Sequence, residues 1–516
     1  MSKITRRDFL KIGAAFCASA AGVARARLPH SFALQRNGNP ANAKNIIILL
    51  FDAMSAKNLS LYGYQRETTP NLARLAARST VYHSHYSAAN FTSPGTATTL
   101  TGMYPWKHRA FNQGGMVKRS LIDQNIFNFL GAGYHRAAFA QNLWADILLE
   151  QFDKNIDTHL APTSFTASRD SLWVGKFKND PALGWNTFPD FLLSLNLPAS
   201  LVGGYLNAYE SLRKMPYYRY GFPDYPKGIP NMLPFAGVAF RNEDIFAGVT
   251  NEIGALQQGS NPYFGYFHFF SPHEPYRVDK EYGKLFHDSY KPAAKPVHAL
   301  SENINDATLL DKRLQYDQLI ANVDGEFGKL LDFLEKQGIL DDSYLVVTSD
   351  HGQLFERGEH GHSTPLLFEP VIHIPLIISA PGQTTPRDVY TPTSNIDLVP
   401  TLLGLAGREI PASVDGKLLP GFGGLPEQDR SIYSMVSYEN SAFLALTKAT
   451  IAMHKGNYKL IHYLGYPKHS DVDELYNLQD DPEELKNLVK SDTITLSRMK
   501  EEMLADLDSA NKPYRK

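Results

Sequence analysis

Three short stretches of this chain carry residue types that can do chemistry together. Asp52 ends the apolar run Asn45-Ile-Ile-Ile-Leu-Leu-Phe51, and the pair Asp350-His351 follows a similar run, Ser343-Tyr-Leu-Val-Val-Thr348. Between them lies Phe91-Thr92-Ser93-Pro94-Gly95-Thr96-Ala97-Thr98-Thr99-Leu100-Thr101-Gly102. Pro94 suits the first position of a helix, with Thr92 or Ser93 as its cap. A hydroxyl there stands at the positive end of the helix dipole, beside free backbone N–H groups. That setting favours an alkoxide nucleophile and the oxyanion that its attack creates. Taken alone, the segment also reads as an ordinary helix cap, and single aspartates after strands are usually turn residues.

The surrounding pattern says what must position these groups. Apolar runs of strand length at 45–51 and 343–348 predict parallel strands covered on both faces. From Leu309 to Leu334, the residues Leu319, Val323, Phe327, Leu330, Leu331 and Leu334 make one face of an amphipathic helix, which Gly338 stops. Strands alternating with helices predict an α/β sheet, and in such sheets ligands gather beyond the carboxyl ends of the strands. Asp52 and Asp350-His351 stand there. Residues 155–245 are rich in aromatics, Pro and Gly, as in Met215-Pro-Tyr-Tyr-Arg-Tyr-Gly-Phe-Pro-Asp-Tyr225. They read as irregular packing over the sheet, with a pocket-shaping insertion as the alternative. After Pro420 come a Gly-rich linker, Tyr458-Lys-Leu-Ile461, Glu474-Leu-Tyr476 and a charged helical tail, which predict a small C-terminal subdomain.

Composition narrows the class. With 516 residues and 43% hydrophobic content, the chain can bury a large core. A formal charge of -2 and no long Lys/Arg run argue against nucleic acid as the partner. The single cysteine, Cys17, excludes disulfides and thiolate metal sites. The first 26 residues combine Thr5-Arg6-Arg7-Asp8-Phe9-Leu10-Lys11, a short apolar run from Ile12 and Ala24-Arg25-Ala26. They read as a twin-arginine type signal peptide, so a periplasmic or secreted protein is expected. Cys17 as a lipidated cysteine is the alternative, which Phe16 fits poorly. No later run approaches membrane-spanning length, so no transmembrane anchor is expected.

In order and spacing these pieces resemble the sulfatases of the alkaline phosphatase superfamily. Asp52 to Leu75, with Leu61-Tyr-Gly-Tyr64 and Thr69-Pro-Asn-Leu72, is similar to the segment after the first sulfatase strand. Ser271-Pro-His-Glu-Pro-Tyr276 resembles the family's Pro-His-x-Pro-Tyr, and Thr348-Ser-Asp-His-Gly352 with Gly361-His362 its second metal strand and following loop. Asp397-Leu-Val-Pro-Thr-Leu-Leu403, Glu474-Leu-Tyr476 and Asp481-Pro482 match later landmarks. The resemblance implies an α/β sandwich of the alkaline phosphatase type, a large mixed, mostly parallel sheet between helices, with a small C-terminal subdomain. The boundaries expected are 1–26 for the signal, 40–425 for the catalytic domain and 426–516 for the subdomain.

The same resemblance assigns site roles. Sulfatases carry Cys (or Ser)-x-Pro-x-Arg, whose first residue is oxidised to formylglycine. Here Thr92 takes that position and Thr96 the Arg position, and threonine cannot become formylglycine. Threonine there is similar instead to the phosphodiesterase and phosphoethanolamine-transferase branches. Asp52, Thr92, Asp350 and His351 then form the expected ligand set for one divalent ion. Where sulfatases usually have a second Asp, Ala53 stands; with one hard oxygen ligand fewer, Zn²⁺ or Mn²⁺ is preferred to Ca²⁺ or Mg²⁺. His362 and His273 fall where the family touches the transferred oxyanion or protonates the leaving group, roles imidazole suits near neutral pH. Asn142, in Ala140-Gln141-Asn142-Leu143 where sulfatases have Gly-Lys-Trp-His, and His268 are expected to bind substrate; His360 stays open. The reading is an exported hydrolase of a small-molecule, glycan or lipid ester through a covalent Thr92 intermediate, phosphoester ahead of sulfate. A sulfatase without formylglycine, a phosphoryl transferase and a non-catalytic binding protein are the alternatives. Oligomeric state is not legible.

Overall fold

The run at 45–51 is apolar throughout because it becomes the centre of a sheet. A computed structural model describes residues 43–166, 221–230, 239–437, 439–467 and 469–515. The signal-peptide reading, Cys17 and much of the aromatic stretch, including 167–220, lie outside these. Eight strands make the main sheet: β1 (Asn45–Phe51), β2 (Thr80–Tyr82), β3 (His135–Ala140), β4 (Thr158–Leu160), β5 (Tyr263–Phe269), β6 (Ser343–Ser349), β7 (Leu376–Ser379) and β8 (Arg387–Val389). Their spatial order is β8-β2-β7-β6-β1-β5-β3-β4. β7 runs against its two neighbours and the other pairs are parallel. The expected mixed, mostly parallel α/β sheet is the one observed.

Helices α1 (Pro70–Ala76), α2 (Thr92–Thr101), α3 (Leu143–Phe152), α4 (Asn242–Leu256), α5 (Asp306–Lys336) and α6 (Leu398–Leu405) cover this sheet. Successive strand residues point to opposite faces. Thus Ile47, Leu49 and Phe51 pack with α1, α4 and α5, through Leu72, Phe246, Leu319, Phe327 and Leu331 among others. Ile46, Ile48 and Leu50 pack with α2, α3 and α6, through Ala97, Leu100, Leu148 and Leu402. Each such side chain contributes about 1.5–3 kcal/mol by leaving water. α5 extends the predicted span at both ends, and Asn305 caps it by accepting from the Thr308 N–H.

The start of α2 differs from the expectation. Thr92 is its first residue, not its cap, and Pro94 is its third. Phe91 holds the cap position with extended backbone and no side-chain cap. Proline lacks an N–H, but the N–H groups of the first turn have no intrahelical partner, so any of these positions accepts it. Every residue of α2 is buried. Hydroxyls in this polar helix find local acceptors, as Thr99 Oγ1 does at Gly95 O (2.9 Å) and Thr101 Oγ1 at Ala97 O (2.6 Å).

Past the main sheet, β9 (Ile432–Val436), β10 (Ala449–Lys455), β11 (Tyr458–Leu464) and β12 (Val472–Asn477) form an antiparallel meander. Helix α7 (Thr493–Asn511) packs on it through Met499, Met503 and Leu507. The meander shares its core with the rest of the chain: Ile461 and Tyr463 meet Tyr86, Phe91 and Phe368. Among the described residues no helix is long and apolar enough to cross a membrane.

Candidate active site and cation centre

Strand register brings the acidic groups together. Phe51 pairs with Phe269 on one side and Ser349 on the other, so the next residues, Asp52 and Asp350, leave adjacent strand ends side by side. His268, one residue before the end of β5, pairs with Leu50 and Ala140. Its Nε2 lies 3.6 Å from Asp52 Oδ2 and 3.8 Å from Asp350 Oδ2. His351 Nε2 lies 3.5 Å from Asp52 Oδ1, 3.5 Å from Asp350 Oδ2 and 3.5 Å from Thr92 Oγ1. All of these side chains are buried.

A cation fits this cluster on three counts. Asp52 Oδ1, Asp350 Oδ2 and His268 Nε2 are buried without a hydrogen-bond partner, a costly state for polar atoms. One atom from each of Asp52, His268 and Asp350 lies within 4.8 Å of the others. His351 Nδ1 donates to Gly352 O (2.9 Å), which leaves the Nε2 lone pair facing the carboxylates. The carboxyl groups register the crowding. Burial opposes the charge of Asp52, but the imidazoles of His273, His268 and His351 outweigh it and hold the group at about 2. Burial and then the negative Asp52 push Asp350 up to about 7, and burial lowers His351 to about 4.

Two residues expected to bind substrate have partners within the protein. His268 faces both carboxylates, because strand β5 lies next to β1 and aims its penultimate residue at the same end. Asn142 was read as a donor to the substrate. It caps α3, its Oδ1 accepting from the Trp144 N–H (2.9 Å), and this turns its Nδ2 onto Asp52 Oδ2 and Thr92 Oγ1 (3.2 Å). Its amide nitrogen therefore serves the threonine hydroxyl.

His362 and His273 complete the cluster from outside the sheet. The His362 ring lies 4.3 Å from that of His351 and 4.9 Å from that of His273. Burial, and then His351, His273 and His360, hold His362 well below the usual imidazole range. A tight turn with left-handed Arg357 (φ 58°) and Gly358 (φ 76°) joins strands Leu354–Glu356 and Glu359–Gly361, folding His362 back over the turn that carries Asp350 and His351. His360 sits one layer further out, 3.1 Å from the Tyr276 hydroxyl.

Other residues that sequence reasoning passed over support the site. Tyr316, on α5, donates to Ala53 O (2.6 Å) and receives the Ser55 N–H (2.9 Å), fixing the chain after Asp52. Ala53 itself is left-handed (φ 61°), which points its N–H at Asp350 Oδ1 (3.2 Å). Asn90 Nδ2 donates to His362 O and to Thr364 O (2.8 Å), tying the His362 loop to the segment that leads into Thr92. Only the spacing of Asn90 two residues before Thr92 could have signalled this.

Comparison with known proteins is consistent along the chain. The sulfatase family model matches residues 44–408, and the model for the C-terminal part of N-sulphoglucosamine sulphohydrolase matches residues 358–512. A choline-sulfatase of Rhizobium meliloti is 24% identical over 472 residues, covering 87% of this chain and 82% of that protein. A multifunctional alkaline phosphatase superfamily protein of Trinickia caryophylli is 24% identical over 505 residues, covering 86% and 91%. Among solved structures, the phosphonate monoester hydrolase of Agrobacterium radiobacter shares the fold, with TM-score 0.65, 20% identity and coverage of 91% of this chain and 96% of that one.

Proposed function

The chain belongs to the sulfatase family and is a hydrolase of sulfate or phosphate esters, and from that premise we propose a metal-dependent phosphoester hydrolase with Thr92 as nucleophile. One observation carries the reading: the Thr92 hydroxyl accepts an N–H from Asn142 and lies 3.5 Å from His351 Nε2, which is itself 3.5 Å from the partnerless Asp52 Oδ1 and Asp350 Oδ2. Asp52, His268, Asp350, His351 and Thr92 would hold a divalent ion, and two imidazoles in the set favour Zn²⁺ or Mn²⁺ over Mg²⁺ or Ca²⁺. When bound, such an ion lowers the pKa of a ligating hydroxyl and neutralises charge on the transferred group.

The residues supply the rest. Thr92 Oγ1 attacks phosphorus in line, stabilised by the Asn142 amide and the positive end of α2. As Thr92 bonds to phosphorus its hydrogen passes to His362, and as the ester bond breaks the departing oxygen takes that proton, with His273 beside it. Water then attacks phosphorus and gives a proton to His362, which returns it to Thr92 as the threonine–phosphorus bond breaks. Threonine in place of an oxidisable Cys or Ser favours phosphoesters over sulfate esters. The Arg6-Arg7 segment supports export as the cellular setting.

The test is turnover of aryl phosphate, aryl phosphodiester and aryl sulfate by purified protein supplied with each of the four ions. Phosphoester cleavage is expected to lead, and Thr92→Ala to lose about 10⁴-fold or more in kcat. Preferred sulfate cleavage overturns the substrate assignment. Full activity in Thr92→Ala overturns the nucleophile.

A further inference from the structure

His362 is the group assigned to proton transfer, yet nothing so far fixes which of its nitrogens carries the hydrogen. Gln353 does. Its side chain is fully buried two residues after His351. Gln353 Nε2 donates to the Tyr276 oxygen (2.5 Å), so its Oε1 is the atom that meets His362 Nδ1 at 2.8 Å. A carbonyl oxygen can only accept, so Nδ1 must carry a hydrogen. The Tyr276 hydroxyl, having received from Gln353, also shares a hydrogen bond with His360 Nε2 (3.1 Å).

We infer that Gln353 is a positioning residue that holds His362 as its Nδ1–H form, so that Nε2 is the nitrogen that exchanges protons with the ester. The inference rests on the assignment of proton transfer to His362. Three segments meet in one amide: the turn carrying Asp350 and His351, the loop carrying His273 and Tyr276, and the hairpin ending at His362. Because Gln353 leaves the metal turn directly, its Oε1 also registers the His362 ring to that turn. Gly352 reinforces the registration: a Cβ there would meet Pro370 O at 2.1 Å, and its N–H donates to Val371 O (2.6 Å), so the backbone between His351 and Gln353 has little freedom. An amide does not itself relay protons. It lets one nitrogen of His362 carry a fixed hydrogen while the other gains and loses its own.

The distinguishing property is the leaving group. A general acid matters most for esters of weakly acidic alcohols and least for nitrophenyl esters, whose departing oxygen needs no proton. The experiment measures kcat and KM for a series of phosphoesters from nitrophenyl to alkyl, using Gln353→Leu, Gln353→Glu and His362→Ala in the full-length protein with metal content checked. Gln353→Leu is expected to lose about 10–100-fold in kcat on alkyl esters and a few-fold at most on nitrophenyl esters, with KM little changed. Gln353→Glu keeps an acceptor for the Nδ1 hydrogen and is expected to restore most of the alkyl activity. A loss in Gln353→Leu that is uniform across leaving groups, or no loss, while His362→Ala is selective against alkyl esters, overturns the role of Gln353 and leaves that of His362 standing. Uniform loss in His362→Ala overturns the proton-transfer assignment and the inference with it.

Discussion

At the scale of single residues, the site is defined by which polar atoms are left without partners. His268 reads as one more residue of the aromatic strand Tyr263-Phe-Gly-Tyr-Phe-His-Phe269, with nothing local to mark it as a ligand. Its Nε2, buried between two carboxylates without a hydrogen-bond partner, is placed where a ligand to a shared cation would be. His268→Ala is therefore expected to weaken Zn²⁺ or Mn²⁺ binding by at least the 10–100-fold or so that loss of even an outer-sphere partner costs. Titration calorimetry on the metal-free protein reads this directly. His360→Ala, which loses contacts to Tyr276, Glu274 and Phe355 but none to the carboxylate cluster, serves as the control and should bind the ion as the wild type does. Equal weakening in both variants would remove His268 from the ligand set.

At the scale of elements, helix α2 must come very close to the turn after β6 for Thr92 to face the carboxylates. Gly95 permits it. A Cβ at this position would lie 2.5 Å from the backbone oxygen of Asp350, an atom with no freedom to retreat because Ser87 Oγ also donates to it. Gly95→Ala is expected to push α2 away from the Asp350–His351 turn, costing about 1–3 kcal/mol of stability, as overpacking typically does. Activity should fall far more than stability does, because a displacement of about 1 Å can cost on the order of 100-fold in rate. Urea unfolding and kcat measured on the same preparation separate the two. Unchanged kcat in the folded variant would mean that the close approach is not what aligns Thr92. The pattern Thr-Ser-Pro-Gly announced a helix start in the sequence. It did not announce that the glycine answers to a residue some 255 positions away.

At the scale of the whole molecule, a buried charge cluster joins the C-terminal meander to the site. Lys459, fully buried on β11, donates to Glu369 Oε1 (3.0 Å) and Glu484 Oε1 (2.7 Å), and His454 Nε2 lies 3.0 Å from the same Glu369 oxygen. Glu369 begins the short helix Glu369–Ile372, whose Pro370 and Val371 carbonyls accept from the Gln353 and Gly352 N–H groups. Burial opposes the charge of Glu369, but Lys459 and His454 outweigh it and hold the carboxyl well below its ordinary 4.5. A depressed carboxylate stabilises the fold above its unfolded value, so this contribution is in place above pH 4.5 and fades as pH falls below it. Lys459→Met removes the compensating charge and should cost about 3–5 kcal/mol near neutral pH. In that variant the dependence is expected to reverse, with part of the loss recovered as the abandoned carboxylates take up protons. Chemical denaturation at pH 7 and pH 5 checks both the size and the sign.

The sequence by itself determined what depends on local pattern. Continuous apolar runs of strand length fit strands buried on both faces, and the spacing of Leu319, Val323, Phe327, Leu330 and Leu334 fits one face of a helix lying on them. Asp52, Asp350 and His351 stand at the ends of those strands, where ligands gather in such sheets, while the hydroxyl of Thr92 stood out from an ordinary helix start only through the family resemblance. What only the tertiary structure decided is which distant atoms share a space. Register between β1, β5 and β6 moved His268 into the carboxylate cluster, and the cap geometry of α3 turned Asn142 towards Thr92. A tight hairpin carried His362 over the turn holding Asp350 and His351 and onto Gln353. Each depends on side-chain direction set by strand pairing or turn handedness, which one-dimensional spacing does not encode, whether the partners lie 9 residues apart, as Gln353 and His362 do, or 50 to 297.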